Sequence, residues 1–198
     1  MLRPNIAQDA PPAEIAVGGI SYSINTDFRV WIGVLRDLRD LISTPTTLEH
    51  ALNNCEVIAK VEKAVFGDII PHPANEVLDA VIAFSQGYPE APVSAGGKQK
   101  AQTYSFEWDL NYIILAIRNQ SGIDLSYRRK EPFHWWEFLL EFHSLCGNHY
   151  ILRLMEIRGY DGKDNELKQQ AQRFALPREN TAEDQALLDE FDALFYNA

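Results

Sequence analysis

A chain of 198 residues, 46% hydrophobic and 23% charged, can bury roughly 70% of its unfolded surface without disulfide or metal staples. One domain is the expectation. Eighteen basic and 28 acidic residues leave a net charge of −10. That balance argues against a surface built for polyanions, whether nucleic acid or anionic membrane, because both rest on clustered Lys and Arg. The charge is uneven: residues 1–97 carry 6 basic and 12 acidic groups, 98–176 carry 11 and 10, and 177–198 carry 1 and 6. Cys55 and Cys146 are the two cysteines, which is no disulfide framework and suits a reducing compartment. No apolar run is long enough to span a membrane, and the first residues lack the apolar core of a signal peptide. A soluble, cytosolic protein is expected.

Residues 1–12, rich in Pro and Ala, read as a flexible arm. Two alternating runs then flank Gly18-Gly19, the pair that a two-residue hairpin turn with positive φ demands. In that register Val17 faces Ile20 and Ile15 faces Tyr22. Ile15, Val17, Ile20, Tyr22 and Ile24 share one face, which must pack on something. Asn25, Thr26 and Asp27 are all good caps for a helix starting near Phe28. Phe28, Trp31, Leu35, Leu38 and Ile42 form its apolar stripe, with Arg29, Arg36, Arg39 and Asp40 outside it. A second helix starts at Thr44-Pro45 or at a Thr46-Thr47-Leu48-Glu49 capping box. Leu48, Leu52, Cys55, Ile58/Ala59 and Val65/Phe66 form its apolar face, and Gly67 stops it. A third runs from about Pro73 to Gln86, with Val77, Leu78, Val81, Ile82 and Phe84 inward and Gly87 at its end. Tyr88 to Thr103 has no periodicity and reads as a flexible loop.

Beyond it, Tyr104–Asp109 leads into a helix ending near Gln120, with Gly122 after it. Pro132 opens a helix through about Leu145. It is apolar on most sides and therefore central. Further helices are expected over Tyr150–Arg158 and Glu166–Leu176, separated by a turn at Asp161–Asn165. A last amphipathic helix from about Ala182 carries Leu187, Leu188, Phe191, Leu194 and Phe195 on one face. It docks either on its own core or on a partner. The fold class is mainly α: an N-terminal β-hairpin on a bundle of about seven helices, forming a single domain over 13–198.

Chemistry-bearing patterns are sparse. His143-x-x-Cys146-x-x-His149 has metal-like spacing but no second ligand pair, so ordinary helix-end residues are the better reading. Cys146 has no local nucleophile signature, and a buried thiol is the default. Asp161-Gly162-Lys163-Asp164-Asn165 places glycine where a calcium loop does not. No phosphate loop, dinucleotide fingerprint or hydrolase elbow is present. No catalytic residue, metal site or cofactor is assigned, and the protein is expected not to be an enzyme. Arg128-Arg129-Lys130 precedes Phe133-His134-Trp135-Trp136. A basic run beside aromatics can stack on single-stranded nucleic acid, engage an acidic partner, or be a solvated loop before a core helix.

Taken in order, several blocks are similar to a bacteriophage family, the gene-product-fifteen family of long-tailed phages. They are Ser23–Trp31 after the hairpin, Tyr104–Asp109 with Tyr112-Ile113, Gly122–Leu125, and His134–Phe138. Met155–Arg158 and Phe174–Pro177 follow. The resemblance spans roughly 14–195. It implies a gene lying between those for the major tail protein and the tape-measure protein, a position shared with tail assembly chaperones. No catalytic residues come with it. The expected function is therefore a non-enzymatic tail-assembly protein in the host cytoplasm, binding the tape-measure protein or tail-tube subunits, with self-association a further option. The alternatives are a minor structural component of the virion tail, or a nucleic-acid-binding protein or enzyme using 128–136. Candidate partner-binding residues are Trp31, Arg128, Arg129, Trp135, Trp136 and Phe191.

Overall fold

The computed structural model describes residues 9–43, 48–88 and 102–177. Within them a two-stranded antiparallel hairpin precedes seven helices: β1 (Glu14–Val17), β2 (Ile20–Ser23), α1 (Phe28–Ser43), α2 (Leu48–Phe66), α3 (Ala74–Ser85), α4 (Phe106–Ser121), α5 (Trp135–His143), α6 (Tyr150–Arg158) and α7 (Asn165–Arg173). The expected fold class is observed. The expected helix start at 44–47, residues 1–8 of the expected arm, 89–101 of the expected loop and the expected terminal helix with Phe191 lie outside the described residues.

The hairpin has the expected register, Val17 opposite Ile20 and Ile15 opposite Tyr22, around Gly18 and Gly19 at φ 56° and 83°. Its shared face is only partly covered. β1 lies on α3 and buries Ile15 and Val17, and Tyr22 and Ile24 pack at the edge, whereas Ile20 stays 53% exposed at the turn end of the other strand. Pro12, the end of the expected flexible arm, accepts a hydrogen bond from His134 Nε2 at 3.0 Å.

The centre of the molecule is where α1 and α5 begin side by side. Phe28 N–H donates to Phe133 O at 2.9 Å and Trp135 N–H donates to Thr26 O at 2.7 Å, so Asp27 and His134 form an isolated antiparallel bridge. This pairing corrects the expected start of α5. Pro132 and Phe133 lie in the bridging segment, and the helix begins three residues later, capped by His134. Each helix carries its own cap: Asp27 Oδ1 accepts from Arg29 N–H at 2.9 Å, and His134 Nδ1 accepts from Trp136 N–H at 3.0 Å.

Below the bridge the aromatic side chains interlock. Phe28 stacks on Phe138 at 4.7 Å and Trp31 on Trp135 at 6.4 Å, while Phe84 from α3 meets Trp31 at 4.6 Å. The indole N–H groups all find backbone acceptors: Trp31 to Asn25 O, Trp135 to Ser85 O and Trp136 to Phe84 O. Satisfied indoles are what allow Trp into a core at low cost. Gly87 is required beside them: a Cβ there would come 2.7 Å from Leu139 Cδ1, and φ is 77°.

Other expectations about single side chains shift by one helical position. Val34 is in the core while Leu35 is half-buried at its edge. Ile82 is 37% exposed because α3 turns Val77, Val81 and Phe84 inward. Cys55 and Cys146 are both exposed, not buried. Among the described side chains of α2 the buried apolar ones are Val61 and Val65, and Cys146 sits in the turn after α5.

A second joint closes the other end. The Arg158 guanidinium at the end of α6 donates to Asp109 Oδ2 at 2.6 Å and Oδ1 at 3.1 Å, to Thr103 O at 3.1 Å and to Phe174 O at 2.7 Å. Asp109 is 2% exposed and also accepts from Ser105 N–H. A two-pronged Arg–carboxylate pair with its remaining donors on backbone carbonyls is the arrangement that makes a buried ion pair tolerable. One side chain thus ties α4, α6, the entry to α4 and the exit of α7. Five of the six family-like blocks meet at these two joints: Ser23–Trp31 with His134–Phe138, and Tyr104–Asp109 with Met155–Arg158 and Phe174.

Candidate functional site

The basic and aromatic residues at 128–136 do not form one surface. Trp135 is 0% and Trp136 8% exposed, so neither can stack on a base or meet a partner. Trp31, at 0%, is likewise core. These three are corrected from partner-binding candidates to structural residues, because the α1–α5 crossing consumes their faces. Arg128 is exposed, its guanidinium 5.8 Å from the ring of Tyr127, which is itself 87% exposed. Arg129 is half-buried over Phe133 at 5.2 Å, and its carbonyl accepts from Arg29 Nη1 at 3.0 Å. Among the described residues, no three His, Cys, Asp or Glu side chains converge as a metal site would need.

Among the described residues, several exposed large apolar side chains adjoin on α4. Trp108, Tyr112 and Leu115, at positions i, i+4 and i+7, are 58%, 43% and 44% exposed. They form one stripe, set about a third of a turn around the helix from Asp109, Ile113, Ala116 and Ile117, which face the core. Tyr150 at the start of α6 extends the stripe, its ring edge-on to Tyr112 at 4.8 Å and itself 49% exposed. Single exposed apolar side chains are ordinary, but an adjoining set of three aromatics and a leucine makes a candidate contact surface. The stripe is held rigidly. Ser105 caps α4, accepting from Glu107 N–H at 3.2 Å, Gly122 ends it in the left-handed conformation, and Arg158 anchors Asp109 next to Trp108.

Sequence reading missed this stripe. Trp108 and Tyr112 were visible only as members of a family-like block. The signal was an apolar pattern too wide for one buried face: α4 has apolar residues at 108, 112 and 115 besides 113, 116 and 117.

The electrostatics of the α1–α5 joint are set by burial and local bonds. Burial pushes the Asp27 carboxyl upward, but the side-chain and backbone hydrogen bonds from Arg29, with the charges of Arg29 and Arg129, outweigh it and hold it below the usual carboxylate range. Burial likewise lowers His134, against the opposing pull of Pro12 O and Glu137. Since Nδ1 accepts from Trp136 N–H, the single proton of the neutral ring sits on Nε2 and donates to Pro12 O. Neither group faces a cleft; both serve helix starts.

Among the described residues, no helix is long and apolar enough to cross a membrane. No curated protein and no solved structure matches the chain. The family model described as Bacteriophage Gp15 protein matches residues 8–179. That span contains both joints and the stripe, and the chain belongs to the bacteriophage Gp15 protein family.

Proposed function

We propose that this phage protein is a non-enzymatic tail-assembly chaperone. It holds an amphipathic segment of the tape-measure protein, or of tail-tube subunits, until tube polymerisation displaces it. The observation that supports the reading is the Trp108–Tyr112–Leu115–Tyr150 stripe, a rigid apolar strip whose spacing suits the apolar face of a partner helix. Large aromatics near the centre of such a strip carry most of the binding energy. The net charge of −10 keeps a protein with an open apolar strip soluble.

The test is co-expression with the tape-measure protein of the same phage, then affinity capture and light scattering. The expected result is a soluble complex of fixed stoichiometry, with capture falling at least ~10-fold in the Trp108→Ala/Tyr112→Ala variant. A tape-measure protein that stays insoluble, together with no capture of tube subunits, would overturn the reading. So would capture indifferent to both substitutions.

A further inference from the structure

A groove of about 840 Å³ runs along the outer side of α1, against the chain entering α4. Its floor is apolar, from Ile32, Leu35, Phe106 and Leu110. A Cβ built on Gly33, midway along it, would meet nothing within 4 Å, so the groove is open there to an incoming side chain. Its rim is basic: Arg29, Arg36 and Arg39 face a single acidic lining residue, Glu107. Arg39 donates to Glu107 Oε2 at 2.9 Å and Arg29 is committed to Asp27. The Arg36 side chain is 52% exposed and lies 3.7 Å from Asp37, whose carboxylate also accepts from Lys60 at 2.9 Å. Arg29, Arg36, Arg39 and Lys60 against Asp27, Asp37 and Glu107 leave one net positive charge beside the apolar floor, in a chain of net charge −10.

The sequence contains a segment of matching chemistry. Residues 178–198 carry one basic and six acidic groups. At about 3.6 residues per turn, Leu187, Leu188, Phe191, Leu194 and Phe195 fall on one face. In a helix over these residues Glu183 and Glu190 would border that face on one side and Asp192 on the other, Asp184 would fall in line with it one turn before Leu187 and Leu188, and Asp189 would fall on the opposite side. An apolar face edged by carboxylates is the complement of an apolar floor edged by arginines.

Length and position agree. The described chain leaves α7 at Phe174, whose carbonyl is held by the same Arg158 guanidinium that holds Thr103 O. Thr103 lines the groove. Phe174, three residues before the end of the described chain, therefore lies beside the groove. Residues 178–181 can span up to about 13 Å, and a helix over 182–195 would be about 21 Å long, against about 15 Å from Arg29 to Arg39 along α1.

We propose that the acidic amphipathic segment 182–195 docks, within its own chain, in the arginine-rimmed groove between α1 and the start of α4, seating Phe191 and its apolar neighbours on the floor and the flanking carboxylates against the arginines. The inference does not depend on the tape-measure reading, since it concerns a different face and a different occupant.

The test is hydrogen–deuterium exchange on the full chain. The expected result is protection of 182–195, and of 104–110, that falls at least ~10-fold in Arg36→Glu and in Glu190→Arg. It should weaken with added salt, and survive in Asp189→Lys and Trp108→Ala. Glu190→Arg keeps the test valid should Arg36→Glu disturb α1. Absence of protection in the native chain overturns the proposal. Protection lost in Trp108→Ala but kept in Arg36→Glu overturns it in favour of the α4 stripe as the dock. Protection that rises with protein concentration alongside a dimer in light scattering overturns it in favour of a second copy's segment.

Discussion

Two aromatic regions of this molecule have similar composition and opposite exposure. At the α1–α5 crossing, Trp31, Trp135, Phe28 and Phe138 are sealed from solvent, and both indole N–H groups reach backbone carbonyls. On α4 and α6, Trp108, Tyr112 and Tyr150 stand between 43% and 58% exposed. The first set holds two helix starts together, and the second lies open to solvent, where the proposed partner would bind. Ring content alone separates neither from the other; what separates them is whether a neighbouring element covers the face.

The strongest way to break this comparison is to truncate one member of each. Trp135→Ala should cost about 3–5 kcal/mol in urea unfolding, the range for a large buried aromatic. Trp108→Ala should stay within about 0.5 kcal/mol of the native chain, as exposed sites do, while reducing partner capture. Equal stability losses would show that the stripe is part of the fold. The Arg158 joint supplies a polar counterpart. Arg158→Ala strands the carboxylate of Asp109, 2% exposed, and should cost about 3–5 kcal/mol. An Arg158→Met/Asp109→Asn double variant should lose clearly less than the two single losses summed, measured by the same unfolding curves.

A smaller effect is expected at the bridge. Asp27→Ala removes the α1 cap and the partner of Arg29, which should cost about 1–2 kcal/mol by thermal unfolding. The smallest effects are titrations of opposite sign. His134 is lowered from 6.5, chiefly by burial, so the folded state prefers the neutral ring. Its contribution is present above pH ~6.5 and is lost as pH falls through the folded value. His134→Asn, which keeps a capping side chain, should flatten the fall of Tm on that acid side. Glu62, 5% exposed, is raised by burial, so its contribution is present at low pH and is lost as pH rises through the folded value. Glu62→Gln should raise Tm at neutral pH and leave it little changed near pH 4.

Much of the fold was legible because independent local signals coincided. The Gly18-Gly19 turn and the alternation around it specify one register, and Ser105 with Gly122 bracket α4 closely. The start of α5 was misplaced because Pro132 suits a helix's first turn equally well in isolation. Only the tertiary bridge to Thr26 makes that stretch extended. The candidate site was the least legible part. Periodicity reports that a helix has an apolar face, but α4 has more than one, and which is covered depends on α6 and α5 arriving at particular angles. The same ambiguity sent Trp31, Trp135 and Trp136 to the wrong list.

The bridge between Asp27 and His134 also bears on how the chain is made. His134 contacts Pro12 across 122 positions of sequence, and Phe28 and Trp31 of α1 find their parallel-stacked ring partners, Phe138 and Trp135, on α5. At 5–20 residues per second, Asp27 leaves the ribosome roughly 5–20 s before His134 does. Throughout that interval the hairpin and α1 present Phe28 and Trp31 with no α5 to receive them. Nascent chains stopped short of α5 should therefore be protease-sensitive and recruited to host folding factors, and the native core should close late and in one step once α5 emerges.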